Sequence, residues 1–160
     1  MSHQGKKDWP YKEIAIGEVT NYIQFDNHWA SLCELTWIPI PPSKQVNSIN
    51  HDNRLVRVLT NLKNTHNSFD FREVFLCGRD RESAKASNMR PTIDELKTNW
   101  IFRKDLVNSL HEPVVIFDDL ITEGASFKAA QQLLLSQQPN LKIIGLFIAR
   151  TEFVNNQTLV

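Results

Sequence analysis

The sequence has little of what marks several common classes of protein. Only two cysteines occur, Cys33 and Cys77, and they form no C-x-x-C pair, which excludes a zinc ribbon and argues against a disulfide framework. Lys and Arg together number 18, as do Asp and Glu, so the zero net charge does not indicate nucleic acid or a membrane surface as a partner. No apolar run approaches the roughly 20 residues of a membrane span.

Two missing motifs further narrow the classes of protein to which the chain could belong. The N-terminal residues lack the apolar core of a signal peptide, so we expect a soluble, cytoplasmic protein. No G-x-x-x-x-G-K-[ST] loop occurs, which excludes a P-loop nucleoside triphosphatase. What remains is a chain of 160 residues, 41% of them apolar, which is enough for one domain with a single core.

Short apolar segments predict several strands. A weak alternation suggests one strand at 18–25, and better candidates lie at 33–40, 73–77, 114–117 and 141–149. The last run is continuously apolar, which is typical of a strand covered on both faces. The strand at 33–40 stops at two prolines, which cannot continue a ladder of backbone hydrogen bonds.

Helical spacing between these segments predicts an α/β fold. One helix is expected after Asp52 as its N-cap, part of 92–107 is expected to be helical, and a third helix is expected at 124–137. Alternating strands and helices imply a mostly parallel, twisted sheet flanked by helices, with ligands beyond the carboxyl ends of its strands. Three loops would then share that edge: 39–44, 78–91, which is the best candidate for a mobile loop, and 118–126.

The segment 114–126 carries the most chemical information. Four apolar residues lead into Asp118 and Asp119, and a Thr-Glu-Gly-Ala-Ser turn then opens a helix. Carboxylates suit ribose hydroxyls or a divalent metal, and free N–H groups at a helix start suit a phosphate. Because neighbouring side chains on a strand point to opposite faces, both carboxylates can reach one ligand only if the strand ends there. The alternative is an ordinary strand-to-helix turn with a solvated acidic pair.

This segment resembles the phosphoribosyl-pyrophosphate motif of type I phosphoribosyltransferases. Residues 37–44, Trp-Ile-Pro-Ile-Pro-Pro-Ser-Lys, resemble the first strand and pyrophosphate loop of the ComF-type branch of that family. Residues 90–92 and 99–102 resemble its flexible loop and following helix more loosely, and 148–151, Ile-Ala-Arg-Thr, resemble its last core strand. The resemblance covers roughly residues 35–151.

The resemblance implies a fold, a ligand and roles for individual residues. It implies a single domain with a core at about 35–151 and a small N-terminal hood at about 1–30, Mg²⁺ as cofactor, a nucleobase-like acceptor, and a homodimer. The implied roles are catalysis, ribose binding and metal binding for Asp118 and Asp119; 5-phosphate binding for Thr122, Glu123, Gly124, Ala125 and Ser126; pyrophosphate binding for Ser43 and Lys44; and closure of a flexible loop by Arg79, Arg81 and Lys85.

Two functions follow from these expectations. The first is a Mg²⁺-dependent enzyme that binds phosphoribosyl pyrophosphate or a nucleotide and transfers or releases the phosphoribosyl group. The second is a catalytically weak binding protein that senses such a ligand. Glu123 favours the second, because the family often has a small residue there and a carboxylate repels a phosphate. No residue stands out as a general base. Four aromatic residues could stack on a base but are expected in the core: Trp9, Tyr11, Trp29 and Trp37.

Overall fold

The computed structural model describes residues 11–81 and 90–150, and these form an α/β fold. The elements in chain order are α1 (Lys12–Gln24), α2 (Trp29–Leu32), β1 (Thr36–Pro39), α3 (Arg54–Thr65), β2 (Asp70–Phe71), β3 (Phe75–Cys77), α4 (Ile93–Asn99), β4 (Trp100–Phe102), a 3₁₀ helix (Lys104–Val107), β5 (Val114–Ile121), α5 (Ala125–Gln137) and β6 (Ile143–Arg150). Strands β2, β1, β5 and β6 form a parallel sheet in that order. The predicted parallel sheet flanked by helices is thereby confirmed.

Strand β5 lies inside the sheet and separates two hydrophobic cores. Val114 and Ile116 belong to the first core, which also contains residues of α4 and α5. Val115 and Phe117 belong to the second core, which contains residues of α1 and α3. This alternation follows from the period of two along a strand. The two positions after Phe117 therefore continue toward opposite faces of the sheet.

The strand predicted at 18–25 is wrong, because residues 18–24 belong to α1 and Phe25 is its C-cap. Ile16, Thr20 and Ile23 are the buried side chains of this element, and their spacing of four and three is that of a helix. The Thr20 hydroxyl donates a hydrogen bond to the Ile16 carbonyl one turn earlier, at 2.7 Å. Helix α1 packs against α3, where Arg57 forms a salt bridge with Glu13.

Residues 141–149 were expected to form a strand that is covered on both faces. The strand is present, but the expected cover on both faces is wrong. Strand β6 forms there, but it pairs only with β5 in the described chain and so lies at the edge of the sheet. Ile144 and Ile148 are 39% and 44% exposed. Continuous apolar sequence thus indicated a strand here without indicating how it is covered.

The strand predicted at 73–77 exists as β3, but it is not part of the parallel sheet. It pairs antiparallel with β4 in a separate two-stranded sheet. The residue that follows, Gly78, lies so close to the last residue of α4 that a Cβ atom would be 2.4 Å from the Asn99 carbonyl oxygen. Helix α4, in the region predicted to be partly helical, begins with a capping box formed by Thr92 and Glu95. In the two described ranges, no helix is both long and apolar enough to span a membrane.

Candidate functional site

The acidic pair lies near the carboxyl end of β5, but the strand does not end before it. Strand β5 continues through Asp118 and Asp119 to Ile121, four residues beyond the predicted end. The two side chains therefore diverge. Asp119, whose side chain is 43% exposed, pairs with Arg54 of α3 at 3.0 Å. Asp118 is partly buried on the other face, where the charge of Arg81 acts on it. A shared ligand would have to lie across the strand edge and meet one carboxylate from each side.

The surroundings of Asp118 make its carboxyl group unusually hard to ionise. Burial is the main cause, and the negative charge of Asp119 adds to it, which raises the pKa of Asp118 to about 7. Two interactions act in the opposite direction: the Asp119 N–H donates to Asp118 Oδ1 at 2.8 Å, and the Arg81 guanidinium is close. Near neutral pH the carboxyl group of Asp118 is therefore only about half ionised.

Arg54 is a residue of this site that the sequence did not reveal. Its Nη2 atom contacts Asp119, and its Nε atom is 2.7 Å from Asp52 Oδ2. The other oxygen of Asp52, Oδ1, lies 3.3 Å from Lys12 Nζ. Asp52 was predicted to be the N-cap of α3, but Asn53 occupies that position and makes no side-chain capping bond. Asp52 instead accepts a hydrogen bond from the Arg54 N–H at 3.2 Å. Through these contacts Asp52 holds the guanidinium that faces Asp119.

The loop between β5 and α5 has the geometry of an anion-binding cradle. Gly124 has a φ of +76°, a left-handed conformation that a side chain would strain, and it caps the start of α5. Its carbonyl accepts the Lys128 N–H at 2.9 Å. Within the described chain, the N–H groups of Ala125 and Ser126 have no hydrogen-bond partner, and neither do the hydroxyls of Thr122 and Ser126. These donors sit at the positive end of a helix of 13 residues.

Glu123 is the residue of this loop whose charge opposes phosphate binding. Its side chain is 67% exposed and forms a salt bridge with Arg90, with Nη1 and Oε1 3.1 Å apart. Arg90 precedes α4, at the end of the segment that resembles a flexible loop. The negative charge of Glu123 is thus offset by a cation, which removes part of the repulsion expected from the sequence.

The loop after β1 meets the loop after β3. Ser43 is directly connected to this second loop, since its carbonyl accepts the Arg81 N–H at 3.0 Å. Lys44 lies beside it and acts electrostatically on Asp80. The guanidinium of Arg81 is partly buried, which lowers its pKa, and its Nε atom has no hydrogen-bond partner in the described chain. Arg81 is therefore a desolvated cation between the predicted pyrophosphate loop and Asp118.

The other two cations predicted for the flexible loop are placed differently. Lys85 lies outside the described residues. Arg79 is held through its backbone, since its N–H donates to Asn99 Oδ1 at 3.1 Å. Its guanidinium makes no hydrogen bond or salt bridge with any described residue. The described start of this loop, residues 78–81, is thus anchored, in contrast to the mobile loop predicted from 78.

The carboxylates of Asp118 and Asp119 could give a metal ion only part of its coordination shell. Magnesium is often held by one or two carboxylates together with substrate phosphates and water. In the part of the chain that the structure describes, no three His, Cys, Asp or Glu side chains are grouped closely enough to form a metal site by themselves. Asp118 and Asp119 would therefore supply only part of the coordination shell, and the ligand would supply the rest.

Two of the four aromatic residues that could stack on a base are part of the core. Trp29 and Trp37 are buried in the second core, as expected. Tyr11 was expected in the core but is exposed at the start of α1, and Trp9 lies outside the described residues. The described part of the predicted hood, residues 11–30, contributes α1 and the beginning of α2 to the face of the sheet that α3 also covers.

Comparisons with known proteins add no family to this description. No protein-family model matches the chain, and no curated protein matches it either. The fold and the site together define an α/β protein with a parallel sheet, an acidic pair near the carboxyl end of an inner strand, and backbone donors at the start of the helix that follows.

Proposed function

We propose that this protein binds phosphoribosyl pyrophosphate or a nucleotide at the carboxyl end of β5, and that it transfers or releases the phosphoribosyl group with the help of Mg²⁺. The observation that carries this proposal is that two kinds of binding group, carboxylates and hydrogen-bond donors, lie in one continuous segment. Asp118 and Asp119 offer acceptors for a diol, and the loop of Thr122, Glu123, Gly124, Ala125 and Ser126 offers donors for a phosphate. A ribose 5-phosphate carries both groups on one small ring.

The proposed reaction places positive charge on the ribose and negative charge on the leaving pyrophosphate. Asp118 and Asp119 would hold the 2′- and 3′-hydroxyls, and their negative charge would stabilise the developing cation. Lys44 and Arg81, with Ser43, would stabilise the pyrophosphate. Magnesium, when bound with the ligand, would neutralise part of the phosphate charge. We propose with this function the fold of a type I phosphoribosyltransferase, including its hood, a nucleobase-like acceptor and a homodimer.

A second candidate function is a sensor that binds the same ligand with little or no turnover. Glu123 favours it, because a carboxylate beside the phosphate cradle weakens binding even when Arg90 offsets its charge. The two functions share one binding site and differ in whether pyrophosphate is released. The N-terminal helices and the acceptor side of the site do not discriminate between them.

One experiment separates these functions. Pyrophosphate release is measured with phosphoribosyl pyrophosphate, Mg²⁺ and a panel of purines, pyrimidines and orotate, and thermal unfolding is measured with the same ligand. A ligand present at 100-fold its Kd adds about 2.7 kcal/mol to the free energy of unfolding. Release of pyrophosphate supports the enzyme, and stabilisation without release supports the sensor. The absence of both would remove the proposed ligand.

The role of Asp119 can be tested in the same unfolding assay. Asp119→Asn should abolish the ligand-induced shift of the melting temperature, because it removes the charge that pairs with a metal or a diol near Arg54. Asp94→Asn is a matched control, since that carboxylate is 92% exposed on α4. An unchanged shift in Asp119→Asn would refute the assigned role.

A further inference from the structure

Asp80 joins the loop after β3 to the loop after β1. Its Oδ1 atom accepts the Gln45 N–H at 2.7 Å, and its Oδ2 atom accepts the Ser48 hydroxyl at 3.0 Å. Two further hydrogen bonds connect the same loops: the Gln45 side chain donates to the Gly78 carbonyl, and the Arg81 N–H donates to the Ser43 carbonyl. We call these four hydrogen bonds between residues 43–48 and 78–81 the clasp.

The segment 78–81 is also fixed from its other side. Gly78 packs directly on the Asn99 carbonyl, to which its N–H donates at 2.9 Å, and there is no room for a side chain. The Arg79 N–H donates to the Asn99 side chain. Between this anchor and the clasp, the backbone of Arg81 has little freedom. Its guanidinium is thereby directed toward the partly buried space beside Asp118.

We propose that Asp80 is a positioning residue for the diphosphate part of the ligand, and that it acts by holding Lys44 and Arg81 in one site through the clasp. Asp80 has this role only if the proposed function holds, and the role is confined to the pyrophosphate side of the site. The ribose phosphate side depends instead on β5 and the start of α5, and none of the four hydrogen bonds of the clasp involves these elements.

A carboxylate close to a diphosphate site would ordinarily repel the ligand. Both oxygens of Asp80 are engaged, however, and the charge of Lys44 is near. The Gln45 N–H is the main reason that the pKa of Asp80 lies below its usual value, so the group stays ionised and keeps accepting both hydrogen bonds at neutral pH. A competing role, in which Asp80 occupies donors that a phosphate would otherwise bind, is an outcome of the test. The two roles predict effects of opposite sign.

Binding of the two halves of the ligand tests the proposal. The affinities of inorganic pyrophosphate with Mg²⁺ and of ribose 5-phosphate are measured by calorimetry for the full chain and its variants. Asp80→Ala should weaken pyrophosphate binding by about tenfold or more, the size expected for losing a hydrogen bond to a charged group, and should leave ribose 5-phosphate binding within about twofold. Asp80→Asn retains one acceptor oxygen and should fall in between.

Two further variants complete the experiment. Ser48→Ala removes one hydrogen bond of the clasp and should weaken pyrophosphate binding in the same direction but less. Asp105→Ala, at an exposed carboxylate of the 3₁₀ helix whose side chain makes no hydrogen bond to a described residue, should behave like the wild type. Ser48→Ala keeps the test decisive if Asp80→Ala does not fold.

The outcomes are distinct. Unchanged pyrophosphate binding in Asp80→Ala and Ser48→Ala would overturn the positioning role, and tighter binding would show that Asp80 competes with the ligand. An equal loss of both affinities would also overturn it, because the effect would not be confined to the diphosphate side. If the wild type bound neither compound, the proposed function would fail, and the role of Asp80 with it. If the wild type binds both, the variants test the role of Asp80 alone.

Discussion

At the scale of single residues, the acidic pair owes its chemistry to unequal surroundings. Asp119 is about half exposed and faces Arg54, while Asp118 is more deeply buried and the charge of Arg81 acts on it. Ionising two neighbouring carboxylates costs free energy when one of them is desolvated, so the more buried one, Asp118, keeps its proton to a higher pH. The pKa of Asp118, at about 7 instead of 3.8, therefore predicts a pH dependence of stability.

Between pH of about 4 and about 7, the folded protein holds a proton on Asp118 that the unfolded chain has released. The free energy of unfolding should therefore fall as the pH rises through this range, by at most about 4 kcal/mol. Asp118→Asn should remove most of this dependence and stabilise the protein at pH 8. Urea unfolding from pH 5 to pH 8 measures it. Asp70, whose pKa is lowered, contributes its own dependence mainly below pH 4 and so does not interfere. Parallel curves for both proteins would contradict the assignment.

At the scale of secondary-structure elements, several boundaries could be predicted and others could not. The helix after Asp52 and the helix α5 follow from local spacing, because their buried residues repeat at helical intervals within one window. Helix α1 was missed because 18–25 alternates weakly, and its helical face becomes visible only when Ile16 is included. The edge position of β6 and the separate sheet of β3 depend on pairing between distant segments.

The same limit applies to the candidate site. The acidic pair, the Gly124 turn and Ser43 could be placed at one edge from the strand pattern alone. The pairing of Arg54 with Asp119 could not, because it joins residues 65 positions apart and depends on how α3 packs against β5. The pairing of Glu123 with Arg90 is similarly non-local. The parts of the site that could not be predicted from the sequence are thus mainly side-chain contacts between distant elements.

Two glycines in different elements should respond oppositely to the same substitution. Gly124→Ala should destabilise the protein by roughly 1 kcal/mol, because an alanine at a φ of +76° is strained although space for its Cβ exists. Gly17→Ala should stabilise it by roughly 0.5–1 kcal/mol, because Gly17 lies within α1 with nothing within 4 Å of a Cβ. Denaturant unfolding of both variants decides this. Equal effects would mean that the cradle does not require its left-handed turn.

At the scale of the whole molecule, the site lies where the two hydrophobic cores meet. Strands β1 and β5 each give side chains to both cores, so neither core can open without disturbing these strands. Asp118 continues the first face of β5 and Asp119 the second. A ligand held by both carboxylates would therefore stabilise both cores together, as expected for a ligand that binds only the folded state.

This arrangement predicts that the two cores unfold as one cooperative unit. Leu134 of α5 is fully buried in the first core and Leu59 of α3 in the second. Changing either to alanine should cost about 2–5 kcal/mol and shift one common transition, because β5 transmits the loss of packing to the other face. Trp100 reports on the first core and Trp37 on the second, so their fluorescence can be followed separately in single-tryptophan variants. Coincident transitions are expected for both reporters. If Leu134→Ala shifted the Trp100 transition and left that of Trp37 in place, the cores would be independent, and a ligand across β5 would stabilise them separately.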